Sequence, residues 1–468
     1  MPLELIFLAV TLSIVTSQPP ISSSYLFDTK GSPWAFQSGS KLGNQPSHLQ
    51  ARASDVDSTP GSREGSAGWS NSAGHFYLFG GKGYDAESTE TPRYLNDLWV
   101  HNATTQKWVM LKENGVSQDK NSSVKRMQPK PRKGAMICGI EGVLLLLFGG
   151  QSADGYLLSD TWIYTIPTDS WLPLYIHHKI SKDQAIHPSA RTAAFSWCLR
   201  DRMVIHGGVV SPSGLGNDVW EFSFQNLAWK ELVASSPPLS HCCGSSWSDY
   251  HENLFIFGGS RDAATAVKEY GDYSPSHLHH ETWMLSLSNS SWSQLKTDFS
   301  PPARQFCSHW RDTKGNLWLT HGLSSGKNKI LNDTWKFVPA THTWFEMSIN
   351  SSNAPSARFH SVAWFAKDTA HIFGGFGYNG RGQMSLLNDL WSYRLPSLLA
   401  FSKGESFIEH FTPGLVFLIT MASTASVVCV FGLVFCMKKT FEYPFRASST
   451  AYNVRYTPLK EETSFEFS

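Results

Sequence analysis

The chain has 468 residues, with 39 basic against 38 acidic side chains, 16% charged and 13% aromatic. That balance excludes the basic footprint of a nucleic-acid binder and offers no charge case for an acidic partner. Seven cysteines in so long a chain exclude a small disulfide-stapled scaffold.

Residues 5–15 form an apolar run, and Val15, Thr16 and Ser17 place small residues just before Gln18. The pattern predicts a secretory signal peptide over residues 1–17, although Glu4 precedes the run and no Lys or Arg does. Ser32, Pro33, Trp34, Ala35 and Phe36 then carry a tryptophan without a repeat partner. Residues 37–59 are polar, rich in Ser and Gly, and read as a loop.

From residue 60 onward one frame returns six times, so internal repetition organises the chain. Pro60, Pro129, Pro188, Pro238, Pro301 and Pro355 stand three residues before Arg63, Arg132, Arg191, His241, Arg304 and Arg358. Six residues further come Trp69, Trp197, Trp247, Trp310 and Trp364, with Cys138 in the second copy. A short apolar run closed by a Gly pair follows, as in Phe76 to Gly81, and predicts a buried strand ending in a tight turn. Next comes Asn-Asp before a tryptophan, as in Asn96, Asp97 and Trp99; such side chains bond nearby backbone and set up the turn into a strand. Trp99/Trp108, Trp162/Trp171, Trp220/Trp229, Trp283/Trp292 and Trp335/Trp344 are each nine apart, which fits a hairpin of two short strands. Trp391 lacks its partner because position 400 is Ala.

Each unit of roughly 50 residues therefore holds about four strands. One such sheet cannot bury its aromatic faces alone, whereas several packed radially can. Trp34 matches the missing outer-strand tryptophan, so residues 32–37 are expected to complete the sixth sheet and close the ring, removing exposed strand edges.

The Pro-x-x-Arg, Phe-Gly-Gly, Asn-Asp-x-Trp and closing-Trp motifs resemble the kelch repeat over about residues 32–395. The resemblance implies an all-β, six-bladed kelch β-propeller whose variable inserts, residues 82–93 and 260–279 being the longest, project on one face. Such loops on a rigid scaffold are where binding usually lives. Departures are local: Thr320, His321 and Gly322 replace Phe-Gly-Gly, His206 precedes a Gly pair, and His280 and Glu281 replace Asn-Asp.

After the propeller region, residues 18–410, comes an uncharged stretch; residues 415–437 suffice to cross a bilayer as a helix, with the span placed at 413–437. Lys438 and Lys439 follow at once and predict a cytoplasmic tail over residues 438–468. In that tail Tyr456, Thr457, Pro458 and Leu459 resemble a tyrosine-based sorting signal read by clathrin adaptors.

Arg63, Arg132, Arg191, His241, Arg304 and Arg358 are the candidate binding residues, as a ring of donors for an anionic ligand. The alternative favoured here is that each bonds carbonyls or carboxylates of adjacent blades, because a residue present in every repeat usually serves the repeat. Cys138 reads as buried packing. A bridge between Cys242 and Cys307, or one to Cys243, stays open; five cysteines before the span leave at least one thiol free. No zinc spacing, phosphate loop or nucleophile elbow occurs, so no metal, cofactor or catalytic residue is assigned. Asn102, Asn121, Asn289 and Asn350 are candidate glycan acceptors. Asn332 also heads a sequon, but Asn recurs at its register in copies without one, which a structural role explains. The expectation is a single-pass membrane glycoprotein, not an enzyme, whose extracellular propeller binds a protein or glycan. The rival is a membrane-tethered, galactose-oxidase-like enzyme using the channel mouth.

Overall fold

The computed structural model describes residues 32–48, 58–115, 127–174, 187–249, 251–264, 275, 277–326, 329–347 and 353–395. They fold as six antiparallel sheets of four or five strands, with two further two-stranded ribbons. The inner strands are Ala67–Ser70, Met136–Ile140, Phe195–Cys198, Ser245–Ser248, Ser308–Arg311 and Val362–Ala366. Each of these touches the inner strand of the blade before it and the blade after it, and the sixth touches the first. The ring is therefore a six-bladed propeller around a central channel.

The sixth blade has Val362–Ala366, Thr369–Tyr378 and Met384–Arg394 from the end of the array and Trp34–Ser38 as its outer strand. Trp34 pairs with Tyr393 and Phe36 with Trp391, so the N-terminal strand closes the ring as expected. The nine-residue tryptophan spacing is the predicted hairpin: Trp220 lies on Val219–Ser223 and Trp229 on the paired Ala228–Leu232.

The tryptophans fill the wedges between blades. The Nε1 of Trp197 donates to the Phe255 carbonyl of the following blade at 3.2 Å, and that of Trp247 to the Trp318 carbonyl at 3.2 Å. Two outer-strand tryptophans reach backward instead: Trp229 donates to Thr161 and Trp344 to Thr282, both at 3.1 Å, whereas Trp108, Trp171 and Trp292 pack without an Nε1 partner among the described residues. A ring large enough to be exposed thus becomes a bond between sheets.

Antiparallel pairing gives the propeller two unlike faces. The first and third connections of each blade are tight turns on one face. The second connections and the links between blades lie on the other, which carries the long inserts. Among the described residues no helix is long and apolar enough to cross a membrane. Residues 1–17, 413–437 and 438–468, with Tyr456 and Leu459, lie outside the described residues, as do Asn121 and Asn350.

Candidate functional site

The arginine register explains how the blades are held. Arg63 Nη1 and Nη2 donate to both carboxylate oxygens of Asp97 at 2.8 Å, its Nε to the Gly61 carbonyl, and its Nη1 also to the Gly80 carbonyl. The same fork joins Arg132 to Asp160, Arg191 to Asp218, Arg304 to Asp333 and Arg358 to Asp389, at 2.5–2.8 Å. Each aspartate also accepts an indole N–H two residues on, from Trp99, Trp162, Trp220, Trp335 and Trp391. These guanidinium groups are 0–1% exposed, and their bidentate, charge-assisted bonds use up the donors. Each pair lies within one blade, not between adjacent blades, and the aspartate is the counter-ion of a buried arginine where a turn-forming role was expected.

In blades one and six the asparagine before it does reach across. Asn96 Nδ2 donates to the Pro129 carbonyl at 2.8 Å and Asn388 Nδ2 to Pro60 at 3.3 Å, each the proline that opens the next blade. The first glycine of the pair is needed there: a Cβ on Gly149 would stand 2.6 Å from the Arg191 carbonyl of the next blade. Blade four breaks the pattern. His241 Nδ1 faces the Leu239 carbonyl at 2.7 Å, where the arginines place Nε, and Glu281 pairs with His279 instead. Burial pushes the His241 imidazole down to about 3 and that of neighbouring His206 down to about 4, so both are neutral.

Two residues beyond each arginine register the backbone forms a collar. Gly65 N–H donates to His360, His360 to Phe306, Phe306 to Cys243, Cys243 to Ala193, Ala193 to Gly134 and Gly134 back to Gly65, at 2.7–3.1 Å. All six residues have positive φ, from 52° to 71°, although only two are glycine. The collar stands at the loop-bearing end of the inner strands. Beyond it a cavity of about 960 Å³ runs along the channel, lined by all six inner strands.

Between each arginine and the collar sits one residue that pairs with the residue after the Gly pair. These couples are Glu64–Lys82, Lys133–Gln151, Thr192–Val209, Cys242–Ser260, Gln305–Leu323 and Phe359–Phe376. Blades one and two thus bury charge beneath the mouth, with Glu64, Lys82 and Lys133 no more than 7% exposed. The Lys82 and Lys133 ammoniums lie 5.7 and 5.8 Å from the Tyr94 ring, and Glu64 bonds His360 at 3.3 Å. Burial pushes the Glu64 carboxyl up, but the bond to His360 and the charges of His360, Lys133 and Lys82 outweigh it and hold it low. Blades three to six bring an apolar cluster of Val209, Cys242, Cys243, Phe306, Leu323 and Phe359. The sequence reading passed over this ring because its members differ from copy to copy.

One cysteine departs from expectation, and of the bridges left open the one to Cys243 forms. Cys138 is not mere packing but bonds Cys198, tying the inner strands of blades two and three. Cys242 bonds its neighbour Cys243, not Cys307. Cys307 is the free thiol, buried, and burial pushes it up to about 12, which keeps it inert. Among the described residues no group of three potential ligands could hold a metal. Asn102 and Asn289 lie on third-connection turns of blades one and four; Asn289 is exposed, and each side chain accepts backbone N–H bonds from its own turn.

Comparison with known proteins gives a consistent picture. A family model described as the KLHDC2/KLHL20/DRC7 Kelch-repeats domain matches residues 117–297 and 179–375, together more than half of the chain. Host cell factor of Drosophila melanogaster is 24% identical over 263 residues, 53% of this chain and 16% of that protein. Kelch domain-containing protein 3 of Homo sapiens is 22% identical over 312 residues, 64% of this chain and 74% of the relative. Adagio protein 3 of Arabidopsis thaliana is 26% identical over 195 residues, 41% of this chain and 26% of that protein. The chain thus spans about a sixth of host cell factor and about three quarters of Kelch domain-containing protein 3.

Proposed function

The chain belongs to the kelch-repeat family, and on that premise we propose that it is a single-pass membrane glycoprotein whose extracellular propeller binds another protein. The observation that carries the reading is the contrast between two rings. The Arg–Asp lock repeats in five blades and serves the scaffold. The ring next to it is different in every blade: charged in blades one and two, a mix of polar and apolar side chains in blades three to five, and two phenylalanines in blade six. The first ring holds each blade together; the second is buried beneath the mouth and sets the exposed loops above it differently in each blade, and such loops on a rigid scaffold suit a protein partner.

The membrane part of the proposal rests on sequence: an uncharged stretch at residues 413–437, two lysines after it and an apolar leader. The Cys138–Cys198 bond between blades supports an oxidising compartment for the propeller. Tyr456 and Leu459 would then face clathrin adaptors. The test is affinity capture on intact cells with a soluble chain of residues 18–410. Tyr156→Ala and Arg381→Glu alter exposed residues of the loop-bearing face, and Lys314→Glu an exposed turn on the other. Capture that fails with the first two and survives the third supports the reading. Capture of glycolipid or glycan in place of protein, or loss only with Lys314→Glu, overturns it.

A further inference from the structure

We infer that Asn332 is a further N-glycan acceptor, placed on the loop-bearing face of blade five; this rests on the luminal reading above. Asn332, Asp333 and Thr334 form an Asn-x-Thr sequon. Its register in other blades is structural: Asn96 is 1% exposed and Asn388 3%, and each side chain both donates to the next blade's proline and accepts a backbone N–H. A glycan could not be accommodated at either position. Asn332 has the same register and a different environment. The pairing of Leu317–Ser324 with Ile330–Val338 shifts opposite Asn332 and Asp333 just as the matching strands shift opposite Asn96 and Asn388, so the bulge is shared and only the side chain's surroundings differ. The Asn332 side chain is exposed there and forms no hydrogen bond among the described residues. Asn217 is exposed too, but Val219 denies it a sequon.

The timing follows from the third residue. Thr334 is 2% exposed, and its hydroxyl lies 3.0 Å from that of Thr320. A finished blade therefore hides the hydroxyl that the sequon needs, so transfer takes place on the nascent chain, before blade five packs. The Asn332 amide nitrogen attacks the anomeric carbon of a lipid-diphosphate-linked oligosaccharide. A C–N bond forms, the C–O bond to diphosphate breaks, and the lipid diphosphate leaves while the amide gives up one proton. The fold then has only to leave the nitrogen in solvent, which it does at Asn332 and not at Asn96 or Asn388.

The experiment is expression of the full chain in cells with a secretory pathway, enzymatic release of N-glycans in heavy-oxygen water, and peptide mass spectrometry. Each occupied asparagine becomes a labelled aspartate. Label at Asn332 together with Asn102 or Asn289 is expected. Asn332→Gln should remove one glycan step from the apparent mass and leave the melting temperature unchanged, since the side chain holds nothing. Label at Asn102 or Asn289 without Asn332 overturns this inference and spares the luminal reading. Label at none of the three, nor at Asn121 or Asn350, overturns both.

Discussion

Replacing the aspartates of the Arg–Asp lock one at a time by asparagine tests whether burial sets the strength of the blades. Each change keeps the shape and removes the charge that holds a guanidinium out of water. The arginines are equally buried, but the aspartate side chains are 2% exposed at Asp97, 5% at Asp389, 18% at Asp333, 27% at Asp218 and 37% at Asp160. Where water cannot reach the orphaned guanidinium, breaking the pair should cost about 3–5 kcal/mol. Where it can, the loss should shrink toward the worth of a charged hydrogen bond, about 1.5–3 kcal/mol. Asp97→Asn and Asp389→Asn should therefore lower the urea midpoint most, Asp160→Asn least, with unchanged slope. Replacing Arg358 and Asp389 together by Met and Leu should recover much of the loss, because no charge then remains buried. Equal losses at all five sites, or the largest at Asp160, would refute the reasoning.

Three further outcomes follow from the same geometry and a fourth from the sequence of the tail. Burial pushes His101 and His206 down to about 4 and His241 and His321 to about 3. An unfolded imidazole titrates near 6.5, so these groups contribute fully above about pH 6.5 and lose on the order of 5 kcal/mol per unit as pH falls toward 4; a melting temperature flat between pH 7 and 5 contradicts this. Ala193→Gly relieves a φ of 52° in the collar and should raise stability by up to about 1 kcal/mol, read as a higher urea midpoint. Cys198→Ser removes the bridge between blades two and three and should cost about 2–4 kcal/mol, read as a lower urea midpoint; an unchanged midpoint contradicts it. Tyr456→Ala should raise the surface fraction and slow antibody uptake; unchanged uptake removes the sorting role.

The fold was legible because every blade must bury the same aromatic positions, so Trp99, Trp220 and Trp335 recur in register and even Trp34 could be assigned to the last blade. Pairings over long sequence distance were not. Asp97 looks locally like a turn residue, and its partner Arg63 is 34 positions away. Cys138 and Cys198 are 60 apart, and only the adjacency of blades two and three brings them together. The collar is masked because its positive φ is met by Ala193, Cys243, Phe306 and His360 as well as by glycine. The mouth ring escaped for the opposite reason to the tryptophans: Glu64, Lys133, Thr192, Cys242, Gln305 and Phe359 share a position and no chemistry. A search for sameness passes over such a column, whereas asking which repeat position varies most would have found it.

Hydrogen exchange on the propeller with and without its captured partner tests the central claim most directly, since it reads which face is covered. Slowed exchange should fall on residues 82–94, 151–158, 209–216 and 376–386, the second connections around the mouth. Protection confined to residues 71–75, 140–143, 199–202 and 312–316, the turns of the opposite face, would contradict the account.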